Sequence, residues 1–142
     1  MARTGAGRGN GRGLPARLAA VLADVADVVT EDDGALTVSH AGTVASIRVV
    51  DIADGLQMVS LIQPVAWDLP ATDENYRRVG EQAAATLVGT VALVRQPDAD
   101  RQPSADVMLR YNFPAAGLSD DALQTLVLMV LAGGADVARA LR

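Results

Sequence analysis

The sequence predicts a single α+β domain in which a helix, three strands, a helix, two strands and a last helix follow one another. Three observations carry this prediction. Residues 14–29 and 122–141 hold apolar side chains at helical spacing, whereas Thr43–Asp51 and Ala105–Phe113 alternate in and out like half-buried strands. Asp-Gly and Ala-Gly pairs separate the strands closely enough for hairpins. At 142 residues the chain suits one domain with one ordinary core.

Residues 1–13 are predicted to be a disordered tail, rich in Gly and carrying Arg3, Arg8 and Arg12 without an acid. Arg8-Gly9 and Arg12-Gly13 have the form of RGG-like RNA contacts, but a loose terminus is the simpler reading. The domain is 14–142. Its first helix is expected over Leu14–Val29, with Leu14, Leu18, Val21, Leu22, Val25, Val28 and Val29 on one face and Pro15 in the first turn.

Next come Leu36–His40, a turn at His40-Ala41-Gly42, and a strand over Thr43–Asp51 that points Ala45, Ile47 and Val49 inward. Asp54-Gly55 turns the chain into a third strand, Leu56–Trp67, with Val59, Leu61, Val65 and Trp67 on one face. Pro64 cannot donate to a ladder, so this strand is expected to bulge or lie at an edge there. The central helix covers 74–87. Thr72 or Asp73 caps it, Glu74 and Arg78 are spaced for an ion pair, and Tyr76, Gly80, Ala83, Ala84 and Leu87 form its apolar face.

The fourth strand is Thr90–Arg95, and a polar loop follows over Gln96–Pro103. The fifth strand sets Ala105, Val107, Leu109, Tyr111 and Phe113 against Asp106, Arg110 and Asn112, which are expected to face away from the helices. Ser119 caps the last helix, with Leu118 and Leu123 as a hydrophobic staple. Its buried stripe is Leu123, Leu126, Val127, Val130, Val137 and Leu141; Gly133 and Gly134 point to the same side and admit either close approach to the sheet or a kink. The core is expected to include Leu18, Leu22, Ile47, Leu61, Leu109, Tyr111, Leu123 and Val130.

Composition removes most site chemistry. There is no Cys, no Lys, and His40 is the single histidine. Cys/His zinc sets, two-His metalloprotease motifs, thiol catalysis and a Walker A lysine are therefore impossible. His40 reads as a solvated hairpin residue. The acidic groups Glu31-Asp32-Asp33, Asp98/Asp100 and Asp120-Asp121 read as loop or helix-start charge, leaving a carboxylate-based enzyme as a distant alternative. No metal, cofactor or catalytic residue is assigned.

The body is acidic, since nine Arg face all 17 acids once the tail is set aside, which disfavours duplex nucleic acid. Arg17, Asp24 and Asp27 interrupt the first apolar stretch, which opposes a signal-peptide reading. The longest uncharged apolar-rich run, Ala122–Ala135, is short for a bilayer. A cytoplasmic protein without a membrane partner is the expectation. Two features exceed a bare core. Leu128 projects opposite the buried stripe, flanked by Met129 and Leu131, so the last helix is apolar all round over Leu126–Leu131. Gly80, Ala83 and Ala84 are small enough to let another backbone approach the central helix. Gly80, Ala84, Leu128, Met129 and Leu131 are the candidate peptide or dimer surface.

The stretch Gly89–Arg142, with GTVALV, ADVMLRYNFP, GLSDDALQ and GGADVARAL, together with the Pro70 break, resembles the YbjN family and its actinobacterial-type TY-Chap relatives, which share the fold of class I type III secretion chaperones. The resemblance spans about residues 14–142. It implies a twisted antiparallel sheet with the first and last helices on one face, a central helix that can mediate homodimerisation, and a role holding a peptide or partner protein. With the residue pattern this gives a five-stranded, mainly antiparallel sheet and a non-enzymatic function. A homodimeric regulatory module without an unfolded client is the alternative.

Overall fold

The computed structural model describes residues 13–96 and 102–142. The expected tail, apart from Gly13, and Asp98/Asp100 of the polar loop lie outside the described residues. The order is α1 (Leu14–Ala23), β1 (Asp27–Thr30), β2 (Leu36–His40), β3 (Thr43–Ala53), β4 (Leu56–Pro70), α2 (Asp73–Ala85), β5 (Thr90–Gln96), β6 (Ser104–Pro114) and α3 (Asp120–Ala140). The strands form one antiparallel sheet ordered β1-β2-β3-β4-β6-β5. α1 and α3 pack on each other and on one sheet face.

Six strands replace the expected five because the first helix ends early. The Leu22 carbonyl accepts from both Val25 and Ala26 N–H, closing α1 in a turn. The β-branched run Val28-Val29-Thr30 then pairs with Leu36–Val38 as a sheet edge. Val28 and Val29 satisfy a helical pattern on paper, but β-branched residues lose less in a strand. Arg17, inside the apolar stretch, ties α1 to the start of α3. Its Nε donates to Asp120 at 2.9 Å and its Nη2 to the Leu118 carbonyl at 2.6 Å.

The expected turns are present. Ala41 and Gly42 both take positive φ in the two-residue β2–β3 turn. Between β1 and β2, Asp33 accepts from Arg48 at 2.7 Å and from the Ala35 N–H, and these bonds hold its carboxyl below the usual carboxylate range.

β4 is the long central strand. Its pairing with β3 stops at Ser46 and Ile62, while its pairing with β6 continues to Pro70 with register shifts after Pro64 and after Ala66. The bulge expected at Pro64 is thus present, in a central strand that has a free side beyond Ile62. The shifts overturn one expectation. Val59, Leu61 and Val65 are buried, but Trp67 is 62% exposed. Alternation fails there because Asp68 adopts φ +52° and its N–H turns to the carboxylate of Asp106. Asp106 does lie on the sheet face opposite the helices, as Arg110 does, yet it is buried. Asp68 N–H and Gln96 Nε2 bond one oxygen each.

Seven of the eight expected core residues are fully buried; Tyr111 is half-buried and stacks on Phe113 with centroids 5.3 Å apart. By length and composition alone the 21-residue α3, whose most apolar 18-residue window has a mean hydropathy of 1.4, is long and apolar enough to cross a bilayer, although its uncharged run is short. In the fold it lies on the sheet, burying Leu123, Val127, Val130, Leu131, Val137 and others. Leu126, expected in that stripe, is only half-buried.

Where α3 meets β4, Gln63 is fully buried. Its Nε2 donates to Thr43 Oγ1 at 2.8 Å and to the Leu131 carbonyl at 3.1 Å. Gly134 lies against this amide: a Cβ there would stand 1.9 Å from Gln63 Oε1. Gly133 has open space around the same position. Of the two glycines, Gly134 provides the close approach. Gly134→Ala is expected to cost about 1–3 kcal/mol by overpacking. Gly133→Ala should stabilise by about 0.5–1 kcal/mol, because Ala is the better helix former. Urea denaturation of both variants checks the pair, and equal effects would refute the asymmetry.

Candidate functional site

α2 begins where Thr72 Oγ1 accepts from the Asn75 N–H. It ends at Ala85, two residues short of the expected end, with Thr86 already extended. Its mooring is slight. Val79 is its one buried residue, and the helix lies against β5. The expected Glu74–Arg78 pair is not formed. Arg77 bridges Glu74 at 3.7 Å and Glu81 at 3.0 Å, which frees Arg78 for a different task. Arg78 donates to Asn75 Oδ1, to the Ala140 carbonyl at 3.0 Å and to the Arg142 backbone oxygen at 3.5 Å. A guanidinium at the C-terminal end of α3 satisfies carbonyls that lack intrahelical partners and complements the helix dipole.

The residues expected to form the apolar face of α2 all lie at the surface. Tyr76, Gly80, Ala83 and Ala84 are exposed, and just beyond the helix Leu87 is 88% exposed. A Cβ at Gly80 would meet nothing within 4 Å. The small-residue stripe therefore does not pack on its own sheet.

The second candidate surface is reduced. Leu131 is fully buried in the core and leaves it. Leu128 is half-buried, and Met129 is 45% exposed. The cause is α1. Gln124, one turn before Leu128 on the same side, donates its Nε2 to the Val21 carbonyl at 2.7 Å, so that side of α3 runs along the first helix. The two surfaces are not brought together: Arg78 meets α3 at Ala140, about 16 Å along the helix axis from Met129.

Sequence reasoning missed the open face of the sheet. Val44, Val50, Ile52, Ile62, Trp67 and Val94 are exposed large apolar residues. Val44 and Val50 were legible as the outward partners of Ala45, Ile47 and Val49, but Trp67 read as inward-facing and was not grouped with them. Among the described residues, no group of three His, Cys, Asp or Glu could hold a metal ion. The buried carboxylate, Asp106, is committed to the β4 bulge.

No protein-family model matches the sequence, and no curated protein does. Among solved structures, the fold is similar to the crystal structure of YbjN from E. coli, a proposed transcription regulator. The TM-score is 0.55 at 17% identity, over 89% of each chain. The fold is YbjN-like.

Because Met129 is open and Leu128 is partly covered, their aspartate variants should differ. Met129→Asp is expected to change stability by no more than about 0.5 kcal/mol, and Leu128→Asp to cost about 1–2 kcal/mol. Thermal melts followed by circular dichroism measure both. A larger loss for Met129→Asp would place that side chain in the core.

Proposed function

We propose that this protein is a non-enzymatic, cytoplasmic protein-binding module of the chaperone-like kind, holding a peptide or partner protein, and that it works as a homodimer through α2. The observation that carries the reading is the free face of α2. A helix that buries one residue and turns Tyr76, Gly80, Ala83 and Ala84 to solvent, with Leu87 beside it, has its apolar side unpartnered within the monomer. Gly and Ala along such a stripe let a second backbone approach closely, near the lower end of the usual 8–10 Å between helix axes. Burying a side chain such as Leu87 would contribute about 1.5–3 kcal/mol. The absence of Cys and Lys and the single His, together with the structural commitment of Asp106, support a non-enzymatic role.

The second reading is a homodimeric regulatory protein that holds no unfolded client. Its support is the proposed role of YbjN from E. coli in transcription regulation and the smallness of the α2 stripe, which suits a helix better than an irregular chain. The acidic body favours regulation through a protein partner over contact with duplex nucleic acid.

Ala84→Arg tests the dimer. The position is exposed in the monomer, so the variant should keep its circular dichroism while light scattering changes from a dimeric to a monomeric mass. A wild type that is monomeric at high concentration would end the proposal. Retention of a bound partner in a pull-down by wild type and by Met129→Asp addresses the client. Loss of the partner with unchanged melting would favour the outer face of α3 as the holding surface.

A further inference from the structure

β3 and β4 part company beyond Ser46 and Ile62. Thr43, Val44 and Ala45 remain paired to β2, and β4 remains paired to β6, but the two facing edges have no ladder between them. The gap holds a slot of about 560 Å³ with Val44, Ile62, Pro64 and Trp67 around it and the end of α3, at Ala138 and Arg142, also lining it. An interrupted ladder presents backbone groups with which an extended chain can pair, Pro64 contributing no donor among them. The side-chain lining is largely apolar. Arg142 is the one charged side chain in it. Its backbone oxygen is engaged by Arg78, and among the described residues its guanidinium has no carboxylate partner. The slot thus complements a strand that is apolar and carries a negative charge.

We propose that this slot docks an extended peptide strand of alternating apolar residues bearing one acidic side chain, whose backbone pairs with the free edge of β4 and whose carboxylate meets Arg142. The proposal rests on the reading of the protein as a peptide-binding module and names the class of peptide. It uses a surface separate from the α2 face and from Met129.

Trp67 is the only tryptophan in the chain and lines the slot, so its emission reports occupancy directly. The probe is a short, tryptophan-free synthetic peptide of alternating valine and threonine with one central glutamate, titrated into the full-length protein. A saturable blue shift of Trp67 emission is expected, and the glutamine version of the peptide should bind about two- to fivefold more weakly. Arg142→Gln should make the two peptides equal. A peptide N-methylated along the edge that would pair should lose binding by about tenfold or more, as several hydrogen bonds are removed. Val44→Asp should weaken the glutamate peptide similarly while leaving the melting temperature near that of wild type; should that variant misfold, the methylated peptide on wild type is the deciding measurement. No shift at millimolar peptide, equal binding of the methylated peptide, or a glutamate preference that survives Arg142→Gln overturns the proposal. An emission shift on simple dilution would identify a second copy of the chain as the occupant and overturn it equally. Failure here with a dimeric wild type and a monomeric Ala84→Arg would leave the α2 reading standing.

Discussion

The contact between Gly134 and Gln63 sets how closely α3 can lie on the sheet, and most of the molecule's geometry follows from that distance. Gln63 is a polar residue at a position where the strand pattern calls for an apolar one. Its amide is tolerated because Thr43 Oγ1 and the Leu131 carbonyl accept its two N–H groups. Thr43 in turn donates to the His40 carbonyl, so the polar chain runs from α3 through β4 and β3 to the β2–β3 turn. Oε1 has no hydrogen-bond partner and faces the Gly134 backbone, a cost accepted where the fold brings helix and strand closest. With α3 held there, its last turn comes within reach of Arg78 on α2 and lines the gap between β3 and β4.

β4 is the strand along which the sheet changes from two paired sides to one. Over its first half it is paired on both sides, and over its second half on the β6 side alone. Proline at position 64 suits the transition, since a residue without an N–H gives up least where a neighbouring strand departs. The bulge at Asp68 would expose a strained backbone were it not pinned by the buried carboxylate of Asp106. Trp67 faces outward as a consequence. An aromatic side chain that the strand alternation assigns to the core is thereby placed beside an apolar slot instead.

α2 contrasts with both. It is capped and laced by its own surface ion pairs, but one valine, the β5 contact and the Arg78 clamp are what attach it to the body. Elements with few buried contacts lie at the low end of local stability, which is where binding and exchange surfaces are drawn from. The sheet and the α1–α3 layer form a firm platform, and the surfaces available for partners sit at its margins.

By itself the sequence determined the α+β class, the positions of the turns, the cap at Ser119, the α2 cap to within Thr72 or Asp73, and nearly all of the core. Each of these is a local property: a period of two or of 3.6, a side-chain oxygen before a helix, a glycine in a turn. It also singled out Gly80 and Ala84 as small residues on one face of the central helix. Only the tertiary structure decided that Val28 and Val29 belong to an edge strand, because a β-branched run fits either period until β2 is there to pair with it. The same holds for Leu131, buried where α3 meets its neighbours, and for Trp67, turned outward by two register shifts. Of the open ladder between β3 and β4 the chain carried only Pro64 as a sign; that β3 leaves while β6 stays paired is a property of two strands together, which no single segment encodes.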